Sequence, residues 1–259
     1  MKQTAVKIRA MKGGQKIATL TAYDYLTARY VDEAGIPLVL VGDSLAMTVL
    51  GYETTLPVTM DEMVHHTAAV SRGVKEALVV ADMPFMSYQG TLEHAVENAG
   101  RFIKEGLADA VKIEGGAMRG ELIEKLVANG IPVLGHIGLT PQSVKETGGF
   151  KMQGKTAESA RKLMDDAMVL EQAGVFALVL ECVPDDLAQK ITASLTVPTI
   201  GIGAGPYCDG QILVFTDLLG MGLGHVPGFV KQFADLKPQI QKALSAYKNA
   251  VEESVFPGK

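Results

Sequence analysis

Acidic side chains recur where short apolar runs end in this sequence. Asp24 follows IATLTAY, Asp43 follows PLVLVG, Asp82 follows ALVVA, Glu114 follows AVKI and Glu181 follows FALVL. If the runs are parallel strands of one closed sheet, their C-terminal ends share a face and the carboxylates converge on one cleft. Asp43, Asp82 and Glu114 then form an oxygen-only cluster. Hard oxygen ligands suit Mg²⁺, which keeps several waters and takes oxygens from its substrate. A single Asp in such a place is explained equally well as a helix N-cap. That explanation weakens for three at equivalent positions.

Other residues near these ends carry further chemistry. Lys112 and Glu114 are two apart, so they share a face of their strand. Burying either unpaired is costly, which leaves a structural ion pair or a polar site. Ser44 directly follows Asp43, and its hydroxyl or backbone N–H suits a substrate carboxylate as well as an ordinary turn. His136, in VLGHIGLTPQS, reads equally as a hydrogen-bonded core residue or a ligand-binding one. Glu181, in ALVLECVP, has apolar neighbours in sequence. Such surroundings raise a carboxylate's pKa and help it act as a base near neutrality; a fixed ion-pair partner is the alternative. Cys182 points away from Glu181 if the strand continues. His65 and His66 fall in an expected helix and read as structural, and His94 and His225 carry no signal. The run Gly201-Ile-Gly203-Ala-Gly205 is not a GxGxxG motif; it suits a backbone approaching either a substrate or a helix.

The elements that must position these groups are legible as a repeat. An amphipathic stretch ends at a glycine and a short apolar strand follows, with Gly35, Gly106, Gly130 and Gly174 at the junctions. Glycine suits the left-handed position just past a helix end. Near-continuous Val, Leu and Ile indicates strands buried on both faces, as in a parallel sheet. The expected strands are 17–23, 37–42, 77–82, 110–114, 133–137, 177–181, 199–202 and 211–215, although QILVFTDLLG could also begin a helix. Helices are expected over 156–174, 184–195 and about 236–254, with Pro238 in the first turn of the last. Thr59 with Glu62 has the spacing of a capping box. Strands alternating with helices predict a single (β/α)₈ TIM barrel over residues 1–259. A doubly wound open sheet would usually carry a nucleotide loop after its first strand, and TAYDYL has none.

Composition narrows the class. Hydrophobic residues make up 47% of the 259, and 24 Lys and Arg against 29 Asp and Glu leave a net charge of −5. The chain has no long basic block, which argues against nucleic acid as a partner. Cys182 and Cys208 show neither metal nor redox spacing, so a reducing cytoplasm is expected. No signal peptide is read at the N-terminus, and no run approaches the ~18 apolar residues of a membrane span.

Longer strings carry a resemblance. TAYDYLTARYVDEAGIPLVLVGDSLAMTVLGYETTLPVTMDEMVHHTAAVSRG, ADMPFMSYQ, AVKIEGG, PVLGHIGLTPQS, ALVLECVP and TIGIGAGPYCDGQILVFTDLLG resemble the ketopantoate hydroxymethyltransferases over roughly residues 4 to 236. The resemblance implies a Mg²⁺-dependent enzyme of pantothenate, hence coenzyme A, biosynthesis, often a homodecamer. It implies transfer of a one-carbon unit from 5,10-methylenetetrahydrofolate to 3-methyl-2-oxobutanoate through a metal-stabilised enolate, giving 2-dehydropantoate. By the same resemblance the metal positions fall on Asp43, Asp82 and Glu114, the ketoacid contacts on Asp43, Ser44, Asp82 and Lys112, and the proton acceptor on Glu181. His136 matches a further polar site position. The loops SLAMTVLGYETTLPVT and SVKETGGFKMQGK are long enough to close over such a site, the second as a lid bending at Gly148, Gly149 and Gly154. Two other readings use part of the same pattern. A Mg²⁺-enolate lyase of the isocitrate or phosphonopyruvate type would share the acids but typically relies on a cysteine-bearing motif not found here. A non-catalytic barrel would need no base at Glu181.

Overall fold

The structure, a computed structural model, describes every residue except 148, 150, 225 and 259, and the backbone alone at Glu146 and Thr147. Eight strands form a closed barrel in sequence order: β1 (Ile17–Thr21), β2 (Leu38–Val41), β3 (Leu78–Asp82), β4 (Ala110–Glu114), β5 (Val133–Gly138), β6 (Ala177–Glu181), β7 (Thr199–Ile202) and β8 (Gly210–Leu213). The neighbouring pairs from β1 to β8 are parallel. Each expected strand is present within a few residues. The ambiguity of QILVFTDLLG resolves into both elements, β8 and then a one-turn helix, Phe215–Leu218.

Strand parity builds the interior. Leu38, Leu40, Leu78, Val80, Ala110, Leu134, Ala177, Val179 and Ile200 belong to one buried apolar cluster. Two residues further along the same faces stand Asp82 after Val80, Lys112 after Ala110, His136 after Leu134 and Glu181 after Val179, with Glu114 two beyond Lys112. Side chains two apart point the same way, so the polar residues cap the apolar layers at the C-terminal end of the barrel. At the opposite end Ile8, from the short helix Ala5–Arg9, joins the cluster with no exposure.

The helices start and stop largely where their signals lie. Helix Met60–Gly73 begins with a reciprocal box: Glu62 N–H donates to Thr59 Oγ1 at 3.2 Å, and Thr59 N–H donates to Glu62 Oε2 at 2.8 Å. Helices Ala157–Gln172 and Asp185–Ser194 occupy the expected stretches. Gly35, Gly130 and Gly174 take left-handed φ at helix ends, but Gly106 does not; Leu107 adopts φ 56° there. By internal packing the chain divides into two compact units, Met1–Ile212 and Leu213–Lys259. Within the second, helix Lys237–Glu252 carries Pro in its first turn, as expected. No described helix is long and apolar enough to cross a membrane.

Candidate active site

The strand register brings the chemical residues side by side. Asp82 pairs with Lys112, Glu114 with His136 and Gly138 with Glu181 on successive strands. Asp43 lies two residues beyond β2, and its backbone N–H donates to Asp82 Oδ2 at 3.2 Å. Asp43, Asp82, Lys112, Glu114 and His136 are all buried, none above 4% exposure, so each must find partners inside the protein.

Lys112 is the hub. Its Nζ donates to both oxygens of Asp82, at 2.7 and 2.8 Å, and to Glu114 Oε1 at 3.3 Å. Burial alone would favour the neutral amine, but Asp82, Glu114 and Asp43 outweigh it and hold Lys112 as the ammonium. Glu114 shows the reverse balance. Burial opposes its charge, yet Lys112, His136 and the Gln142 N–H hold its pKa down at about 2. Asp43 is pushed well above the usual carboxylate range, first by burial and then by Asp82 and Glu114; Lys112 and Gln142 only partly offset this. Acid charge therefore exceeds the cationic charge available to it.

That imbalance bears on a metal. Asp43, Asp82 and Glu114 each present an oxygen within 4.8 Å of the others, the one such group among the described residues. An all-oxygen set that crowds like charges fits a hard divalent cation, which would supply the missing positive charge.

His136 lies between two acids. Its Nδ1 is 3.5 Å from Glu114 Oε1 and its Nε2 is 3.2 Å from Glu181 Oε2, both off the line of a hydrogen bond. Burial and Lys112 depress its pKa, but Glu114 and Glu181 prevail and push it up to about 9. One ring thus links a residue of the acid cluster to Glu181, whose side chain is 16% exposed and stands nearer to solvent.

Ser44 is half-buried beside Asp43, and its hydroxyl shares a 2.9 Å hydrogen bond with that of Tyr23. Asp24 does not join the cluster. β1 ends at Thr21, and by residue 24 the exposed side chain accepts the Thr27 N–H to cap helix Tyr25–Glu33. Four of the five acids that end apolar runs therefore meet at the mouth. His66 is structural as expected, with Nδ1 2.6 Å from the Tyr23 carbonyl oxygen. Cys182 has its thiol pushed up to about 11 by burial and by Glu181, so it is a poor nucleophile. In the glycine run, Gly205 approaches a helix, while Gly201 faces Cys208 and Gln211. A Cβ on Gly205, at φ +72°, would stand 2.4 Å from the Asp185 carboxyl carbon at the start of helix Asp185–Ser194. Two of the three hinge glycines of the expected lid, Gly149 and Gly154, have positive φ; Gly148 and His225 lie outside the described residues.

Two buried residues of the site had no chemical role assigned from sequence, Gln142 and Tyr88. Gln142 Nε2 donates to Asp43 Oδ2 at 3.1 Å and to the Met83 carbonyl at 2.9 Å, and its backbone N–H donates to Glu114 Oε2 at 3.1 Å. Tyr88 hydroxyl donates to Gln142 Oε1 at 2.7 Å. Their only sequence signal is membership of TPQS and MSYQ, each in a loop after a strand whose end carries an acid or His136.

Fold and site together define a (β/α)₈-barrel enzyme that gathers carboxylates and one ammonium at the C-terminal mouth. The comparisons narrow this. The family model for ketopantoate hydroxymethyltransferase matches residues 2–259. The 3-methyl-2-oxobutanoate hydroxymethyltransferase of Carboxydothermus hydrogenoformans is 58% identical over 255 residues, covering 98% of this chain and 92% of that one. The protein of the same name from Clostridium novyi is 57% identical over 260 residues, covering 100% and 94%. The chain belongs to the ketopantoate hydroxymethyltransferase family, a family of transferases. Among solved structures, phosphoenolpyruvate phosphomutase from Streptomyces platensis subsp. rosaceus matches with TM-score 0.63 at 15% identity, covering 97% of this chain and 88% of that one. 2,3-Dimethylmalate lyase, of the PEP mutase/isocitrate lyase superfamily, gives 0.61 at 18% identity, covering 100% and 91%. These likenesses concern the fold alone.

Proposed function

We propose that this protein transfers a hydroxymethyl group from 5,10-methylenetetrahydrofolate to 3-methyl-2-oxobutanoate, giving 2-dehydropantoate for pantothenate biosynthesis. The observation that carries this is the pairing of a buried Asp43–Asp82–Glu114 cluster with a separate carboxylate, Glu181, across His136. Full-length identity of 58% to a relative named for the ketoacid reaction supports it.

Asp43, Asp82 and Glu114 would hold Mg²⁺, which when bound supplies Lewis-acid polarisation of the ketoacid's oxygens. Ser44, Lys112 and His136, with Asp43 and Asp82, bind and orient the ketoacid. Glu181 takes the proton from C3. Negative charge then spreads towards the keto oxygen, and the Lys112 ammonium stabilises it. The C3 carbon attacks the methylene group of the folate, forming the new C–C bond as one of the two methylene C–N bonds breaks. Water then supplies the hydroxyl group as the second C–N bond breaks, and tetrahydrofolate leaves with its two nitrogens protonated or neutral. Holding two substrates in one mouth lowers the entropic part of the barrier. The same reading carries a cytoplasmic protein that assembles as a decamer.

Solvent exchange of the C3 proton, followed by NMR in D₂O with 3-methyl-2-oxobutanoate and Mg²⁺, tests the proton step without the full turnover. Exchange is expected in the intact protein and is expected to fall about 10²–10⁴-fold in Glu181→Gln. Undiminished exchange in that variant would remove Glu181 from the role of base. No exchange and no turnover in the intact protein would end the proposal.

A further inference from the structure

We infer that Gln142 is a positioning residue that presets the Asp43 and Glu114 carboxylates for a divalent cation; this rests on the metal site proposed above. Gln142 is 4% exposed and comes from the loop after β5, 99 residues from Asp43 in sequence. Like Lys112, it hydrogen-bonds acids from two different strand ends, but it does so with uncharged donors. Its carboxamide holds Asp43 Oδ2 at 3.1 Å and its backbone N–H holds Glu114 Oε2 at 3.1 Å. Asp43 Oδ1 has no hydrogen bond among the described residues. One oxygen is thus tied to the protein and the other is left for a ligand.

The amide has a single sensible orientation. The Met83 carbonyl can only accept, so the group 2.9 Å from it must be the NH₂. The Gln142 carbonyl in turn accepts from Tyr88 hydroxyl at 2.7 Å and from Gln89 Nε2 at 3.1 Å. Tyr88 hydroxyl also lies 3.3 Å from the Glu114 backbone oxygen and nitrogen. With its carboxamide fully satisfied, Gln142 cannot rotate without breaking four hydrogen bonds. A flip would place its oxygen against both Asp43 and Met83. Polar groups arranged in this way behind metal ligands fix ligand orientation, and their loss typically costs 10–100-fold in metal affinity.

The test uses Gln142→Met, which keeps the length of the side chain, removes the carboxamide's hydrogen bonds to Asp43 and Met83, and leaves the backbone N–H to Glu114 in place. Mn²⁺ binding is measured by electron paramagnetic resonance on intact protein and variant, alongside kcat and KM for the ketoacid and the melting temperature without metal. The expected result is a loss of Mn²⁺ affinity of about 10–100-fold, with kcat at saturating metal falling much less. Tyr88→Phe, which frees the carboxamide to flip but leaves it in place, is expected to lose less affinity than Gln142→Met. It also serves as the readout should Gln142→Met fail to fold. Mn²⁺ affinity within twofold of the intact protein, with only the melting temperature lowered, would show a purely structural role and overturn the inference. Intact protein that binds no Mn²⁺ would overturn the metal site itself, and this inference with it.

Discussion

Replacing Lys112 by Met removes the one ammonium that faces the acid cluster among the described residues. Lys112 Nζ stands 2.7 and 2.8 Å from the Asp82 oxygens and 3.3 Å from Glu114. Unit charges at about 3 Å attract by roughly 5–6 kcal/mol at an effective dielectric near 20. Desolvation of both ions offsets much of this in the intact protein. The variant keeps the buried carboxylates without their partner, and breaking a buried pair in that way costs about 3–5 kcal/mol. For a chain of this size that corresponds to roughly 6–20 °C in melting temperature. The assay is thermal unfolding followed by circular dichroism in chelator, with and without added Mg²⁺. The deficit should shrink as pH falls. Without the ammonium, the folded-state pKa values of Asp82 and Asp43 rise further above their unfolded values. Groups raised in this way contribute stability below the unfolded pKa and lose it as pH rises through the folded one. Mg²⁺ should restore more stability to the variant than it adds to the intact protein, because it replaces a missing charge. Turnover at saturating metal should fall about 10²–10³-fold, the usual cost of losing one stabilising donor. A variant melting within 1–2 °C of the intact protein at every pH, and equally responsive to Mg²⁺, would refute the view that Lys112 neutralises the cluster.

Two further outcomes follow from other positions. Gly138 has φ +96°, and a Cβ there would lie 2.2 Å from the Glu181 carbonyl oxygen and 2.8 Å from Val183. Gly138→Ala should therefore lower stability by about 2–4 kcal/mol in urea unfolding, through left-handed strain and overpacking, and should reduce C3 exchange by shifting Glu181. Asp209 accepts from the Gly13 and Thr199 N–H groups, each at 2.9–3.0 Å, and from Lys12 Nζ at 2.9 Å. Burial alone would raise its pKa, but the Thr199 N–H, Lys12 and the Gly13 N–H hold it below the usual value. A depressed carboxylate contributes stability above its unfolded pKa of about 3.9 and loses it as pH falls through the folded value. Asp209→Asn should be less stable than the intact protein at pH 7, and the gap should close below about pH 4 in acid-unfolding curves. A gap that stays constant would assign the loss to hydrogen bonding and not to charge.

The chain's own order of residues determined the barrel and most of its mouth. Apolar runs mark the strands because burial on both faces makes polar residues costly there unless they find partners, as Lys112 and His136 do. Parity along a strand then placed Lys112 and Glu114 on one inward face without any knowledge of their neighbours. Thr59 and Glu62 announced a helix start because that signal lies within one turn. Only the tertiary structure decided which end-of-strand acids meet. Asp24 resembles the others in sequence but sits three residues past β1, where the chain has already turned into a helix cap. The same holds for Gln142, which reaches back to Asp43 and Glu114, and for His136, which lies between Glu114 and Glu181. Hydrophobic periodicity is a local property and can be read from neighbouring residues. Hydrogen-bond partners and shifted charges depend on register and loop paths, which exist only once distant strands have closed into one cylinder.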